Sequence, residues 1–364
     1  MRLAIYSFYD PDGVIDNYVL RILDSLLVVA DRLVIVVNGV LASNEIFKFR
    51  KYSDEIIIRS NIGFDAYAYK YTLLDLFENN KLKGVSELIL LNNTVYGPFF
   101  ELGDYFEVME AEDVDFWGFG KWTRGYSEEL KCIIPDHVQS FFLVIKKKLL
   151  FSKVFYDYWE KLGGIDSYAD AIEKFEVAFT KTFKKAGYRY TTWLDYKKVP
   201  YIERSGHDYR QHYFECVSDY QYPFLKRKDV SFPPNDNVRK MLDYVHDYCN
   251  IDIAILWDDY FRRNGKGGFL GTLKDFSNKF TNLYIYGHGI WGKGIAMLLD
   301  SYEIKDYTFV VSNNQKYDNE VERFEEICFS KNDGIIVGLN KEHTEEVRRD
   351  VLMNLPVENV MFIN

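Results

Sequence analysis

Cysteine is scarce in this chain of 364 residues, and the four present (Cys132, Cys216, Cys249 and Cys328) lie far apart. No spacing suits a zinc site or a disulfide framework, so reduced thiols and a cytoplasmic address are expected. Long apolar runs are also missing. The longest stretch, Ser25 to Val37, is broken by Asp31 and Arg32, and none approaches the ~20 apolar residues of a membrane span. Met1 to Tyr9 is apolar, but Asp10 and Asp12 interrupt it too early for a signal peptide. Contact with the inner face of the plasma membrane would therefore be peripheral. A basic surplus is lacking too: the formal net charge is −10. Proteins that grip nucleic acid through its phosphates usually carry the opposite sign, so no nucleic-acid partner is expected. The local run Lys226-Arg227-Lys228 reads as a solvated turn.

Aromatic residues are abundant, at 17% of the chain, with 29 Tyr and 28 Phe. Most belong in a core, although a tyrosine also suits a carbohydrate site, with an apolar face and a hydroxyl. The length suggests two domains. The pattern places them at residues 1–235 and 278–364, joined by a helical stretch over 236–277.

The first 110 residues alternate strand and helix. Strands are expected at Arg2–Phe8, Leu33–Val37, Glu55–Arg59 and Glu87–Leu91. Helices are expected at Val14–Ala30, Ala66–Phe77 and Leu102–Glu110. Such alternation predicts an α/β domain with a parallel sheet. Further strands are expected at Asp115–Gly120, Ser140–Ile145 and Tyr188–Trp193, with helices at Leu149–Lys161 and Phe175–Lys185. From Ser205 to Asn237 the pattern fades into loops, and Met241–Arg262 reads as one helix.

In open α/β sheets, ligands bind beyond the carboxyl ends of the strands. Polar residues cluster at four such ends: Tyr9-Asp10, Asn38-Gly39, Asn61-Ile62-Gly63-Phe64-Asp65 and Asn92-Asn93-Thr94. Asn, Asp and Gly favour turns anyway, but four consecutive strand ends of this kind point to a site.

Several of these segments resemble the rhamnan synthesis protein F group of bacterial glycosyltransferases. They are Tyr9-Asp10-Pro11-Asp12-Gly13, Asn61 to Asp65, Leu90 to Pro98, Asp115-Phe116-Trp117-Gly118, Gln139-Ser140-Phe141-Phe142 and Phe175-Glu176-Val177. The resemblance implies polysaccharide assembly, a nucleotide diphosphate sugar donor (rhamnose as the sugar) and a glycan or lipid-linked glycan acceptor. It also implies a GT-A-like, Rossmann-type nucleotide-sugar-binding domain. In such enzymes a strand ends in Asp-x-Asp, which holds a metal on the diphosphate. Here the corresponding triplet is Asn92-Asn93-Thr94, with no carboxylate. A divalent metal, Mg or Mn, is left open: it would arrive largely with the diphosphate. The resemblance makes Glu176 the general base, at the start of its helix, where an acid is also favoured by the dipole. Asp136 and His137 are alternative bases or acceptor ligands.

For the donor, backbone NH groups around Asn61 and Gly63 precede a helix and could face an anion. Asp65 suits ribose hydroxyls or the base, Lys70 the diphosphate, and Tyr6 or Tyr9 the nucleobase, with Asp10 and Asn38 on neighbouring strand ends. Near the C-terminus, strand Leu283–Tyr286, the turn Gly287-His288-Gly289-Ile290-Trp291-Gly292 and a helix from Lys293 to Asp300 form G-x-G-x-x-G in its proper setting. The next strand, Tyr307–Val311, ends in Ser312-Asn313-Asn314 and lacks the acid a dinucleotide site wants. A small Rossmann-like docking or regulatory domain is expected, and NAD is not. Two rival readings stand beside the transferase: an NAD-dependent oxidoreductase, and a non-catalytic sugar-binding subunit.

Overall fold

A computed structural model describes every residue except 195–198, 200–208, 233, 265–268, 313–320, 340 and 364. Part of the expected loop after Ser205, and Asn313-Asn314, therefore lie outside the described residues. The chain divides into two compact units, Met1–Asp229 and Val230–Asn364.

The first unit is mixed α/β. Seven strands form its central sheet: β1 (Arg2–Phe8), β2 (Arg32–Asn38), β3 (Glu55–Arg59), β4 (Glu87–Asn92), β5 (Phe116–Gly118), β6 (Phe142–Lys146) and β7 (Tyr190–Thr192), in the order β7-β5-β6-β4-β1-β2-β3. β1 pairs in parallel with β2 and β4, and β2 with β3. β1, β2 and β4 hold near-continuous apolar runs because both faces are covered: Leu3, Ala4, Ile5 and Tyr6 are all fully buried, whereas the edge strand β3 is largely exposed.

The expected sheet is parallel, and one strand departs from that. β6 runs antiparallel to both β4 and β5. The cause is the connection between β5 and β6. Lys121–Trp122 pairs with His137–Val138, and Gly125–Ser127 with Cys132–Ile134, both antiparallel. The whole segment from Phe116 to Lys146 is thus one long, interrupted hairpin, and a hairpin can only return antiparallel.

Helix α1 (Asn17–Val29) follows β1, α2 (Phe64–Glu78) follows β3, and α3 (Leu102–Glu110) precedes β5. α2 buries Ala66, Ala68, Tyr69, Leu73 and Leu76 against the sheet, with Trp159, Phe175 and Phe179 in the same cluster. Its start is set by Gly63, at φ +73°, where an added Cβ would lie 2.2 Å from the Tyr67 ring. Only glycine satisfies both the left-handed backbone and the lack of space.

The helix expected from Phe175 starts earlier. It runs through Tyr168–Asp170, a wide π-helical stretch at Ala171–Val177 and α-helical turns at Ala178–Lys185. Glu176 is therefore interior, not in a first turn, and no helix dipole accounts for it. π-helical insertions are rare and frequently mark functional sites.

The second unit contains helices Asp236–Cys249, Ala254–Arg263 and Phe269–Ser277. The expected single helix over 241–262 breaks at Asn250, at φ +52°. A five-stranded, all-parallel sheet follows: Val321–Arg323, Tyr307–Val311, Asn282–Tyr286, Asp333–Val337 and Val360–Phe362, in that spatial order. Helix Ile290–Ser301 begins at the glycine turn. Among the described residues, no helix is long and apolar enough to cross a membrane.

Candidate active site

The carboxyl ends of β1 and β4 lie side by side, with Ser7 opposite Asn92. Asn92 Nδ2 donates to Asp65 Oδ2 at 2.6 Å, joining the end of β4 to the first turn of α2. Asp65 Oδ1 also accepts from the Ala66 amide at 3.0 Å. Burial raises the Asp65 carboxyl above its ordinary range; the Asn92 bond opposes this and the Glu176 charge adds to it. Asp65 and Glu176 therefore face one site from two different elements.

Glu176 is held by the β5–β6 hairpin. Its Oε2 accepts from the Ser140 amide at 2.9 Å and the Ser140 hydroxyl at 2.6 Å. Its Oε1 lies 3.4 Å from His137 Nε2. Burial alone would raise this carboxyl. The His137 hydrogen bond and charge, then the Lys226 charge and Ser140, outweigh burial and hold it at about 2. The side chain keeps 22% exposure while His137 has 1%, so a ligand can reach Glu176 but not the histidine behind it.

The His137 tautomer follows from its partners. Nδ1 lies 2.9 Å from the Pro135 carbonyl, which can only accept, so Nδ1 carries a proton in either charge state. Nε2 is the nitrogen that faces Glu176. The indole of Trp122 lies nearly parallel to the imidazole, with ring centres 6.4 Å apart at 21°.

Other residues expected at the site have structural commitments. Asn93 is buried; its Oδ1 accepts from the Tyr9 amide, and its Nδ2 donates to the Tyr9 carbonyl and the Tyr18 hydroxyl. It locks the β1 and β4 ends together and offers nothing to a metal. Asn92 Oδ1 is taken by the Thr94 amide and hydroxyl at 3.1 and 2.6 Å, leaving Thr94 exposed. Asn38 bonds Ser7 Oγ and Arg59 within the sheet edge. Asp10 caps its own turn through the Asp12 and Val14 amides. Lys70 does not point to the donor side, because its Nζ donates to the Glu160 and Leu162 carbonyls at the end of a neighbouring helix. Asp136 accepts from the Arg124 amide and pairs with Lys121, so it fastens the hairpin. Tyr6 is wholly buried and cannot offer a face to a base, whereas Tyr9 is 44% exposed at the same strand end. Asn61 stands half-buried in the turn ahead of α2, beside Gly63.

Two groups at the site escape the sequence reading. Ser140 lies in the family-like segment Gln139–Phe142, where nothing in the sequence gives it a role. Lys226, which reads as part of a solvated turn, is partly buried at the centre. It sits in a two-residue strand paired with Val95–Tyr96, directly opposite Val95. Its ammonium lies 3.9 Å over the Phe141 ring. No signal in the local sequence separates it from Lys228, which is exposed.

The family profile described as rhamnan synthesis protein F matches residues 33–270. A curated relative, the uncharacterized protein y4gN of Sinorhizobium fredii (strain NBRC 101917 / NGR234), is 26% identical over 266 residues, or 73% of this chain. The chain spans about 60% of that relative's length. Among solved structures, 4-diphosphocytidyl-2C-methyl-D-erythritol synthase from Anaerococcus prevotii DSM 20548 is 13% identical, covering 57% of this chain and 96% of that one at a TM-score of 0.33. A glycosyltransferase involved in glycosylating the major capsid of PBCV-1 is 11% identical, covering 66% and 97% at 0.31. At such scores neither bears on what this chain does.

Proposed function

Because the chain belongs to the rhamnan synthesis protein F family, we propose that it is a nucleotide-sugar glycosyltransferase that moves rhamnose onto a growing glycan or lipid-linked glycan with inversion at the anomeric carbon. The observation that carries this reading is the pairing of the Glu176–His137 couple with Asp65–Asn92 at the carboxyl edge of a parallel-rich sheet. That edge is where an α/β sheet takes a nucleotide, and in a GT-A-like enzyme the donor lies across it. Here it would rest against Tyr9, the turn Asn61–Asp65 and the exposed hydroxyl of Thr94.

In a single displacement the acceptor hydroxyl oxygen bonds to the anomeric carbon while the bond from that carbon to the diphosphate oxygen breaks. The electron pair leaves with the diphosphate, and the hydroxyl proton passes to Glu176. His137 Nε2 stands 3.4 Å behind Glu176 Oε1, so the proton can pass on to the imidazole, leaving an imidazolium beside a carboxylate. Ser140 keeps the carboxylate oriented throughout. An NAD-dependent oxidoreductase would leave this cluster without a task.

The test is incubation of the full chain with a panel of nucleotide sugars, with and without Mg²⁺ or Mn²⁺, reading nucleoside diphosphate release and the anomer of the freed sugar. Slow hydrolysis of one donor to the inverted anomer, abolished in Glu176→Gln, is expected. Tight donor binding with no turnover would instead make the chain a sugar-binding subunit. Release of the retained anomer would rule out the single displacement.

A further inference from the structure

In an Asp-x-Asp enzyme a metal neutralises the leaving diphosphate. The residues at this strand end do not fit one. Asn92 has both side-chain atoms committed, Asn93 is buried in bonds to Tyr9 and Tyr18, and Asp65 accepts two hydrogen bonds. Neutral amide oxygens already engaged as acceptors are poor partners for a hard cation, which prefers carboxylates, phosphate oxygens and water. Among the described residues, no three His, Cys, Asp or Glu gather into a metal shell.

A positive charge nevertheless stands at that place, on a different element. The strand Leu225–Lys226 pairs antiparallel with Val95–Tyr96, which follows the triplet directly. The Arg227 amide continues the ladder by donating to the Thr94 carbonyl at 3.0 Å. This register sets Lys226 beside the strand end where the missing carboxylates would stand. Arg227 is not the free cation. It donates to the Asn93 carbonyl at 2.9 Å and covers the Tyr18 ring at 4.8 Å. Lys226 Nζ has no hydrogen bond or ion pair among the described residues, only the Phe141 ring beneath it. We infer that Lys226 is the catalytic cation of this enzyme, binding the donor diphosphate and neutralising it as the glycosidic bond breaks, in the place a metal takes in Asp-x-Asp relatives.

The chemistry suits the task. As the bond from the anomeric carbon to oxygen breaks, charge grows on the diphosphate, and a preorganised ammonium stabilises it most at that moment. A partly buried ammonium with no side-chain ion pair has less water to shed on meeting the ligand than an exposed one. Burial lowers its pKa to about 8, against the pull of Glu176; Lys228, Asp229 and Asp65 are the other charges that face it. Lys226 also offsets the repulsion that Glu176 and Asp65 would exert on a polyanion.

The inference rests on the transferase reading, and calorimetry separates the two. The probes are dTDP, UDP, GDP, CDP and inorganic pyrophosphate, each titrated into the full chain in EDTA and again with Mg²⁺. Wild type is expected to bind a nucleoside diphosphate in EDTA. Lys226→Gln should weaken that binding tenfold or more, while Lys226→Arg retains most of it. With the preferred donor, Lys226→Gln should lower kcat more than it raises KM, which a merely structural role would not do. Should Lys226→Gln fold poorly, the arginine variant and wild type still decide: binding in wild type that appears only with Mg²⁺ overturns the inference and leaves the transferase reading standing. Unchanged affinity in folded Lys226→Gln overturns it equally. No nucleoside diphosphate binding under either condition sinks both.

Discussion

In each of the two larger sheets of this chain a parallel strand ends in a glycine-bearing turn that leads into a helix, and the two turns use glycine for different reasons. In the first unit, the turn at Asn61–Asp65 delivers a carboxylate to a cluster with Asn92, Glu176 and Lys226. In the second, the turn Gly287–Gly292 is a packing device. A Cβ on Gly292 would lie 1.8 Å from the Gly287 carbonyl oxygen, and one on Gly338 would lie 2.8 Å from Gly292 Cα. Helix and strands touch backbone to backbone there. A glycine motif thus reports how closely two elements approach, and only the side chains around it say whether a ligand is involved. Variants in the first turn that cost stability alone, or variants in the second that cost donor binding, would erase this difference between the two turns.

The largest effect is expected at Glu176. Glu176→Gln should lower turnover by ~10²–10⁴-fold, the usual span for a general base, with donor affinity little changed. Steady-state kinetics and donor titration on the same sample check both halves. The stability consequence has a defined sign. The folded carboxyl is depressed to about 2, so ionised Glu176 stabilises the fold above the ordinary carboxylate pKa, and the contribution disappears as pH falls towards 2. The variant should be less stable than wild type by about 2 kcal/mol at pH 6, because each tenfold gain in acidity on folding is worth about 1.4 kcal/mol and solvent screens part of it. The gap should close as pH falls from the ordinary carboxylate range to about 2. A constant gap across that range would mean the carboxylate is not held by charge.

Gly292→Ala should act on stability. With the Cβ inside the van der Waals radius of a backbone oxygen, either turn or helix must shift, at a cost of about 3 kcal/mol, the upper end for overpacking. Thermal unfolding should show the loss in the second unit, while donor binding by the first unit stays as in wild type. A fall in donor affinity would give the glycine turn a role in the site.

Much of the first sheet was legible in sequence because buried parallel strands are continuous apolar runs, as in Leu3-Ala4-Ile5-Tyr6. The hairpin between β5 and β6 was not, because its ladders are two or three residues long and carry no period. The same split holds for the site. Asp65, Asn92 and Glu176 stand out as polar residues at strand ends or in family segments, and His137 as an alternative base. Their partnerships span 27 to 39 positions, so which of them meet, and that Asp136 and Lys70 turn elsewhere, depends on tertiary packing. Lys226 resembles turn chemistry because three consecutive basic residues hide that one of them points inward.

Asn93 sharpens the metal side of the comparison. Restoring a carboxylate with Asn93→Asp would place it against the Tyr9 carbonyl, where the amide now donates at 2.9 Å. The variant should lose about 2 kcal/mol, the cost of an unsatisfied buried pair, and gain no Mn²⁺ affinity. Chemical denaturation and calorimetry with Mn²⁺ and nucleoside diphosphate check this. Tightened metal binding would return the triplet to the role that Asp-x-Asp has in GT-A-type enzymes.

The smallest expected effect separates function from stability most cleanly. A lysine whose folded pKa lies near 8, below its unfolded value of about 10.5, is charged at neutral pH in both states but at a cost in the folded one. By linkage the unfolded state binds more protons between those two values, so wild-type stability rises with pH across that window. Lys226→Met removes the charge and its cost, together with the ammonium contact over Phe141, and keeps an unbranched side chain. It should therefore be more stable than wild type at pH 7, by about 1–2 kcal/mol after allowing for partial exposure, and the advantage should fade between about pH 8 and 10.5. The same variant should lose diphosphate affinity. A protein that becomes more stable as it loses its ligand has given up a charge kept for that ligand, as happens when an active-site group is strained for function. Equal stability at the two ends of that window would mean that Lys226 is as well solvated as Lys228 and that the interior of the site holds no unpaired cation.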